Sequence, residues 1–183
     1  MKIEVLQAHH QKKSFNCGQD DLNKFIKQYA SQHQKSGTSK TYVAIDDDTQ
    51  QVRGFYCLSS TSIGFDGVDA VLTQRLPRYP LPCVVIGRFA VDQTAQGRGI
   101  GKVLLAHALK QVSKVAQIIG VNFIVIHAKD QKAMEFYQRF GFISLTSNPL
   151  TLIYPVSEIP NFNGSRLADL HLILPNEVPQ LSC

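Results

Sequence analysis

The stretch 84–105, VVIGRFAVDQTAQGRGIGKVLL, constrains the fold more than any other part of the chain. An apolar strand pattern runs into a short polar turn, then a glycine-rich loop, then an amphipathic helix. Gln96-Gly97-Arg98-Gly99-Ile100-Gly101 stands where that helix begins. Glycines at such a point let the backbone approach a ligand closely, because no Cβ intervenes. The first N–H groups of a helix have no partner within it, and together with the helix dipole they favour an anion in front of them. The loop therefore reads as a pyrophosphate cradle. The strand ahead of it, 83–91, is apolar almost throughout, as expected of a strand covered on both faces. With the next strand, 121–127, it forms a βαβ crossover, right-handed by default.

The rest of the chain supplies elements around this unit. Residues 2–6 read as a first strand and Phe15-Asn16-Cys17-Gly18 as a turn. A helix starts at Gln19 or Asp20. It presents Leu22, Phe25, Ile26, Tyr29 and Ala30 on one face and Lys24, Lys27, Gln28 and Gln32 on the other. Residues 33–40 read as a loop, and 41–45 and 52–58 as a hairpin around Asp46-Asp47-Asp48. Those carboxylates lack the alternating spacing and distal Glu of a calcium loop, so no metal site is expected. A short helix is expected over 69–75. The three prolines of 76–82 exclude regular structure there. The helix after the glycine loop runs over about 99–116. Asp130 reads as the N-cap of a further helix that ends near Phe140 with Gly141 as its C′ residue. Strands follow at 142–145 and 150–154, and 166–174 reads as a helix or a strand. The fold class is a mixed α/β (α+β) sheet with flanking helices.

Composition bounds the setting. In 183 residues that are 44% hydrophobic there is material for one domain with its own core. No apolar run is long enough to cross a bilayer, and MKIEVLQAHHQKK carries no secretory signal, so a cytoplasmic protein is expected. The four cysteines are scattered without a CxxC, which speaks against a zinc site or a disulfide framework. Residues 1–154 carry 18 Lys/Arg against 11 Asp/Glu, whereas 155–183 carry 1 against 3. A basic body of this kind attracts polyanions, although solvated lysines account for it equally well.

The glycine loop lacks the Gly-Lys-Ser/Thr of a Walker A frame. It also makes a poor Rossmann fingerprint, because His127-Ala128-Lys129 stands where a ribose-binding acid is needed. Gln96, Gly99 and Gly101, after a strand ending Phe89-Ala90-Val91-Asp92, instead resemble the acyl-CoA loop Q/R-x-x-G-x-G/A of the GNAT (general N-acetyltransferase) family. A second element, 128–142, AKDQKAMEFYQRFGF, is also similar to that family. The resemblance implies a GNAT acyl-CoA N-acyltransferase fold over 1–157, a splayed mixed sheet that acts on acetyl-CoA. Residues 158–183 form an extension expected to pack on the same domain. Phe15-Asn16-Cys17-Gly18, 22–26, Leu76-Pro77-Arg78-Tyr79-Pro80 and 87–92 resemble the GNAT toxins of bacterial toxin–antitoxin modules. Those enzymes acetylate the α-amine of aminoacyl-tRNA and block translation. The narrower resemblance implies aminoacyl-tRNA as substrate, a ribbon-helix-helix antitoxin as partner and a homodimer. Two alternatives stay open: a GNAT acting on a small-molecule amine or a protein N-terminus, and a CoA-binding partner protein without catalysis.

Residue roles follow from the same resemblance. Ala90, Val91, Gln96, Gly97, Arg98, Gly99, Ile100, Gly101, Lys102, Lys129, Ala133, Phe136 and Tyr137 are expected to hold CoA. The Val91 N–H is expected to meet the thioester carbonyl, and Tyr137 to protonate the leaving thiolate. A phenol near 10 and a thiol near 8.5 make that transfer feasible. Tyr137 also suits a purely packing role against the helix 99–116. Arg78, Arg88, Lys24, Lys27, Lys35 and Lys40, with Lys12 and Lys13, are candidates for an RNA-facing surface. Arg88, inside an apolar run, is expected to be partnered. No general base stands out: Glu135 reads as a solvated carboxylate, and His127, near the ligand side, reads first as structural. An α-amine near 7.7–8.0 needs less help to lose its proton than a lysine near 10.4, so a missing base suits an aminoacyl acceptor.

Overall fold

The structure is a computed structural model, and it describes residues 1–160. The element expected over 166–174 and all but the first residues of the expected extension lie outside the described residues. The chain runs β1 (Lys2–Val5), α1 (Asp20–Lys24), a π-helical turn (Phe25–Tyr29), α2 (Ala30–Lys35), β2 (Lys40–Ile45), β3 (Val52–Ile63) and α3 (Ala70–Thr73). It continues through β4 (Leu81–Val91), α4 (Ile100–Ala116), β5 (Phe123–His127), α5 (Gln131–Gln138), β6 (Ile143–Leu145) and β7 (Asn148–Pro155). The seven strands form one sheet in the order β1-β2-β3-β4-β5-β7-β6. Neighbours pair antiparallel except β4 and β5, which are parallel across the α4 crossover.

Both faces are covered. On one, α4 contributes Leu104, Leu105, Leu109 and Val112, α5 contributes Phe136 and Tyr137, and the turn after it contributes Phe140 to a core with Tyr56, Val84, Ile86, Ile124 and Ile126. On the other, Phe25, Ile26 and Ala30 pack on Val43, Ile45, Phe55, Cys57 and Ala90. On that same face, Phe65, Leu72 and Leu76 pack on Cys83, Phe123, Val125 and Ile153. Strand residues alternate between the two faces as a pleated sheet requires.

Four expectations change. The first helical run extends through Lys35 rather than ending near His33, and it is not a regular α-helix. The Ala30 N–H bonds the Phe25 carbonyl, five residues back. That wider turn rotates the face, so Tyr29 is 39% exposed although helical spacing put it with the core set. The second hairpin strand, β3, runs on to Ile63, paired with β4 as far as Leu81. Pro82 is therefore inside a strand; it sits near the strand start, where a missing N–H is tolerated, and its carbonyl accepts the Asn122 N–H at 2.8 Å. The last strand begins at Asn148. The cap at α5 is as expected. Asp130 accepts the Ala133 N–H at 2.8 Å, and Gly141, at φ +87°, closes the helix with Gly141 N–H to Gln138 and Phe142 N–H to Tyr137.

The feature that creates a site is a rupture in the middle of the sheet. The β4–β5 ladder holds three register pairs, Cys83–Phe123 to Val85–Val125, and then stops. Just beyond, β4 carries a bulge. Phe55 pairs with Ala90 and Cys57 with Gly87, so Tyr56 faces two residues, and Arg88 sits at φ +49°. A bulge bends and twists its strand, and here it carries β4 away from β5.

Candidate active site

The opened strands leave a cleft of about 210 Å³. Ile86, Arg88, Phe89, Ala90 and Val91 line it from β4, and Ile126 to Asp130 from β5 and the following turn. Ala133, Lys132 and Tyr137 close it from α5, and Leu22 from α1. Because α5 lies on one face of the sheet and α1 on the other, the cleft passes through the plane of the sheet. Such a passage lets two ligands meet from opposite sides.

Tyr137 is 7% exposed and is held edge-on by Phe89, Phe136 and Phe142, with ring centroids 6.2, 5.1 and 5.7 Å away. Its ring has one fixed position beside the cleft. Phe136 points the other way, into the core against Phe140, and does not line the cleft. Glu135 is exposed and accepts from Gln131 Nε2, as a solvated carboxylate does.

The glycine loop adjoins the end of β4. Asp92 N–H bonds the Arg53 carbonyl at 2.9 Å, toward β3. Successive strand amides alternate in direction, so the Val91 N–H faces away from β3, into the opened gap. The Val91 carbonyl, on that same side, accepts Gln96 Nε2 at 3.0 Å. Gln96 thus braces the loop against the strand. Gly99, the N-cap of α4, has φ +75°, and a Cβ built on it meets nothing within 4 Å. Open space before the N-terminus of a long helix fits a pyrophosphate. The Arg98 side chain lines a second, polar hollow with Asp46, Asp47 and Asp48, while Lys102 is buried and its ammonium is pushed below the ordinary range by that burial.

The positions proposed for RNA are spread. Arg88 is exposed at the cleft, its guanidinium 4.4 Å from the Phe25 ring centroid. Its partner is an aromatic face, which satisfies a cation without an anion. Lys24 stands over Tyr29 at 5.7 Å and Lys27 is half-buried, both on the helical run that carries Leu22. Lys12 bonds Ser31 Oγ at 3.0 Å. Lys13, Lys35 and Lys40 are exposed and do not line the cleft. Arg78 lies 6.0 Å over the Phe65 ring, away from it.

Sequence reasoning missed the clamp that seats α1. Asp92, buried, accepts the Asn16 N–H at 2.8 Å, the Thr94 N–H at 3.0 Å and Thr94 Oγ1 at 2.5 Å. Asn16 Oδ1 in turn accepts from Gly18 N–H and Asn23 Nδ2, and Asn23 Oδ1 from Cys17 N–H. The motif Phe15-Asn16-Cys17-Gly18 therefore pins α1 to the end of β4 and puts Leu22 at the cleft. Only the acid-then-Thr spacing of Asp92-Gln93-Thr94, a turn signal, was visible beforehand.

Glu4, His9 and His10 bring ligand-type atoms within 4.8 Å of one another. The His10 Nδ1 accepts the Gln7 N–H at 3.0 Å, so its Nε2 carries the hydrogen that goes to Glu4 Oε1 at 2.8 Å. That leaves the His10 ring no lone pair for a metal, and the bond holds the Glu4 carboxyl below its usual range.

A mixed sheet split beside a glycine loop, with a tyrosine fixed in the gap, defines an acyltransferase of the acyl-CoA-dependent class. The family model described as "Acetyltransferase (GNAT) domain" matches residues 37–144, and this chain belongs to that family. A tRNA-acetylating toxin of Mycobacterium tuberculosis (strain ATCC 25618 / H37Rv) is 32% identical over 140 residues, 76% of this chain and 82% of the relative. The solved structure of AtaT complexed with acetyl-methionyl-tRNAfMet superposes with a TM-score of 0.82 at 28% identity, covering 86% of this chain and 96% of that one. A Tyr-to-Phe mutant of AtaT bound to the C-terminus of the antitoxin AtaR and acetyl-CoA gives 0.75 at 28% identity, covering 86% and 94%. No helix among the described residues is long and apolar enough to cross a membrane.

Proposed function

We propose that this chain transfers an acetyl group from acetyl-CoA to the α-amine of aminoacyl-tRNA and is the toxin of a toxin–antitoxin pair. The observation that carries the reading is the cleft through the sheet, with Lys132, Ala133 and Tyr137 of α5 toward one face and Leu22 and Arg88 toward the other. Acetyl-CoA supplies the acetyl thioester. The loop from Gln96 to Lys102, with Ala90, Lys129 and Ala133, holds its pantetheine and phosphates. The Val91 N–H donates to the thioester oxygen, a role open to an amide that has no strand partner on that side. The Tyr137 phenol carries the proton for the departing sulfur. On the other face, Arg88, Lys24 and Lys27 meet phosphates at the acceptor end of the tRNA, and Lys35 and Lys40 meet more distant ones. Support for a tRNA acceptor comes from the Mycobacterium toxin and from AtaT, which has been seen with acetyl-methionyl-tRNA. AtaT has also been seen with its antitoxin AtaR, which supports an antitoxin as partner here; its ribbon-helix-helix character is what the sequence resemblance implies. A homodimer in the cytoplasm completes the proposal.

The test is release of CoA thiol by the purified chain with a pool of charged tRNA, against the same pool after deacylation. Turnover confined to charged tRNA is expected. Equal turnover with both, or none with either, would overturn the acceptor assignment.

A further inference from the structure

The cleft contains a titratable group that the reading above does not use. His127 is the last residue of β5, at the point where the strand has parted from β4. Ile124 and Ile126 point to the face covered by α4 and α5, and Phe123 and Val125 to the other. Alternation therefore directs His127 to the face of α1, where Leu22 and Arg88 also line the cleft. Tyr137 stands on the opposite face, so the two groups flank the passage. The His127 ring is exposed, and its Nδ1 lies 3.1 Å from Thr151 Oγ1, its cross-strand neighbour on β7. Thr151 is buried and makes no other side-chain bond among the described residues.

We propose that His127 is the base that takes the proton from the acceptor amine, and that Thr151 is its positioning residue. The proposal rests on the acetyl-transfer reading. The Nδ1–H donates to Thr151 Oγ1, which fixes the tautomer and leaves the Nε2 lone pair for the amine. The amine nitrogen forms its bond to the acetyl carbon, and the carbon–sulfur bond breaks. The amine proton goes to His127 Nε2, and the sulfur takes the Tyr137 proton. Solvent then returns the His127 proton to the phenolate, so nothing is consumed beyond the two substrates. The arrangement places proton acceptor and proton donor on opposite faces of the sheet, as an amine arriving from one side and a thiol leaving by the other require. The charged and titratable groups that share the cleft with His127 are Arg88 from β4, Lys129 and Asp130 from the turn, and Lys132 and Tyr137 from α5.

Two readouts test it with charged tRNA as acceptor. His127→Gln lowers kcat/KM roughly a hundred-fold. In His127→Ala, added imidazole restores turnover in proportion to its neutral form, which a merely structural role for the ring would not do. Nitrogen NMR of the histidine-labelled protein, with no cofactor present, reads the Nδ1–H tautomer, and Thr151→Val abolishes that preference. A His127→Gln protein with the melting temperature and kcat/KM of the parent overturns the proposal, as does an Nε2–H tautomer in the unaltered chain. If the unaltered chain releases no thiol with charged tRNA, the acetyl-transfer reading fails instead, while the tautomer still answers for Thr151.

Discussion

Replacing Tyr137 with Phe removes one oxygen from a ring that three aromatic neighbours hold in place. Packing is kept, so the melting temperature stays within about 2 °C while kcat falls roughly a hundred-fold, read as thiol release at saturating substrate. An unchanged kcat would return Tyr137 to the packing role. Gly99→Ala acts oppositely. The new methyl meets open space, but φ +75° strains any side chain, at about 1 kcal/mol. The chain should fold, melt about 2–4 °C lower, and bind CoA more weakly by calorimetry. His107 gives the pH dependence. Buried against Tyr56, with its Nδ1 2.7 Å from that hydroxyl, it is pushed down to about 4 by desolvation, with Lys114 and Lys110 adding repulsion. The folded value lies below the unfolded one, so between about 4 and 6.5 the unfolded chain binds the extra proton. Stability therefore falls as pH drops through that window, by on the order of 3 kcal/mol. Urea midpoints from pH 7 to 4 should show the decline, and His107→Leu should flatten it. At this scale sequence was a fair guide to identity and a poor one to partners. Asp130 and Gly141 cap α5 as their types require, whereas Arg88, expected to be paired, lies on a phenylalanine ring that only the tertiary fold brings near.

Elements with a local cause were legible. The α4 and α5 helices, the β2–β3 hairpin and the glycine loop follow from periodicity and caps within a few residues. What escaped depends on distant pairing. The length of β3 is set by β4, thirty residues on, and the split of the sheet by a bulge whose partner is Tyr56. The π turn is a phase shift that a periodic reading absorbs unnoticed, except that Tyr29 falls outside. The clamp around Asp92 couples elements far apart in sequence, and it yields a prediction of its own. Asp92→Ala leaves the Asn16 and Thr94 N–H groups without their acceptor in a buried site. That costs about 2–3 kcal/mol, a fall of roughly 5–10 °C in melting temperature. Because α1 is then no longer pinned, the KM for the acceptor should rise more than the KM for acetyl-CoA. Equal changes in both would mean that the clamp serves stability alone.

At the scale of the whole molecule, the sheet is a frame with a gap between β4 and β5 that is lined from both faces. Membership of the GNAT family fixes the acetyl-CoA side; the acceptor side is where this chain must be distinguished from other members. The basic surface was legible as charge but not as geometry, since Lys35, Lys40 and Arg78 stand away from the cleft that Arg88 lines. The measurement that bears most directly on the acceptor is mass spectrometry of the amino acids released by mild alkali from charged tRNA after incubation with acetyl-CoA and the purified chain. N-acetyl amino acids that appear only with active protein, and not with Tyr137→Phe over the same interval, are the expected result. Unmodified amino acids throughout, with acetyl groups on another amine or on none, would contradict aminoacyl-tRNA as the substrate.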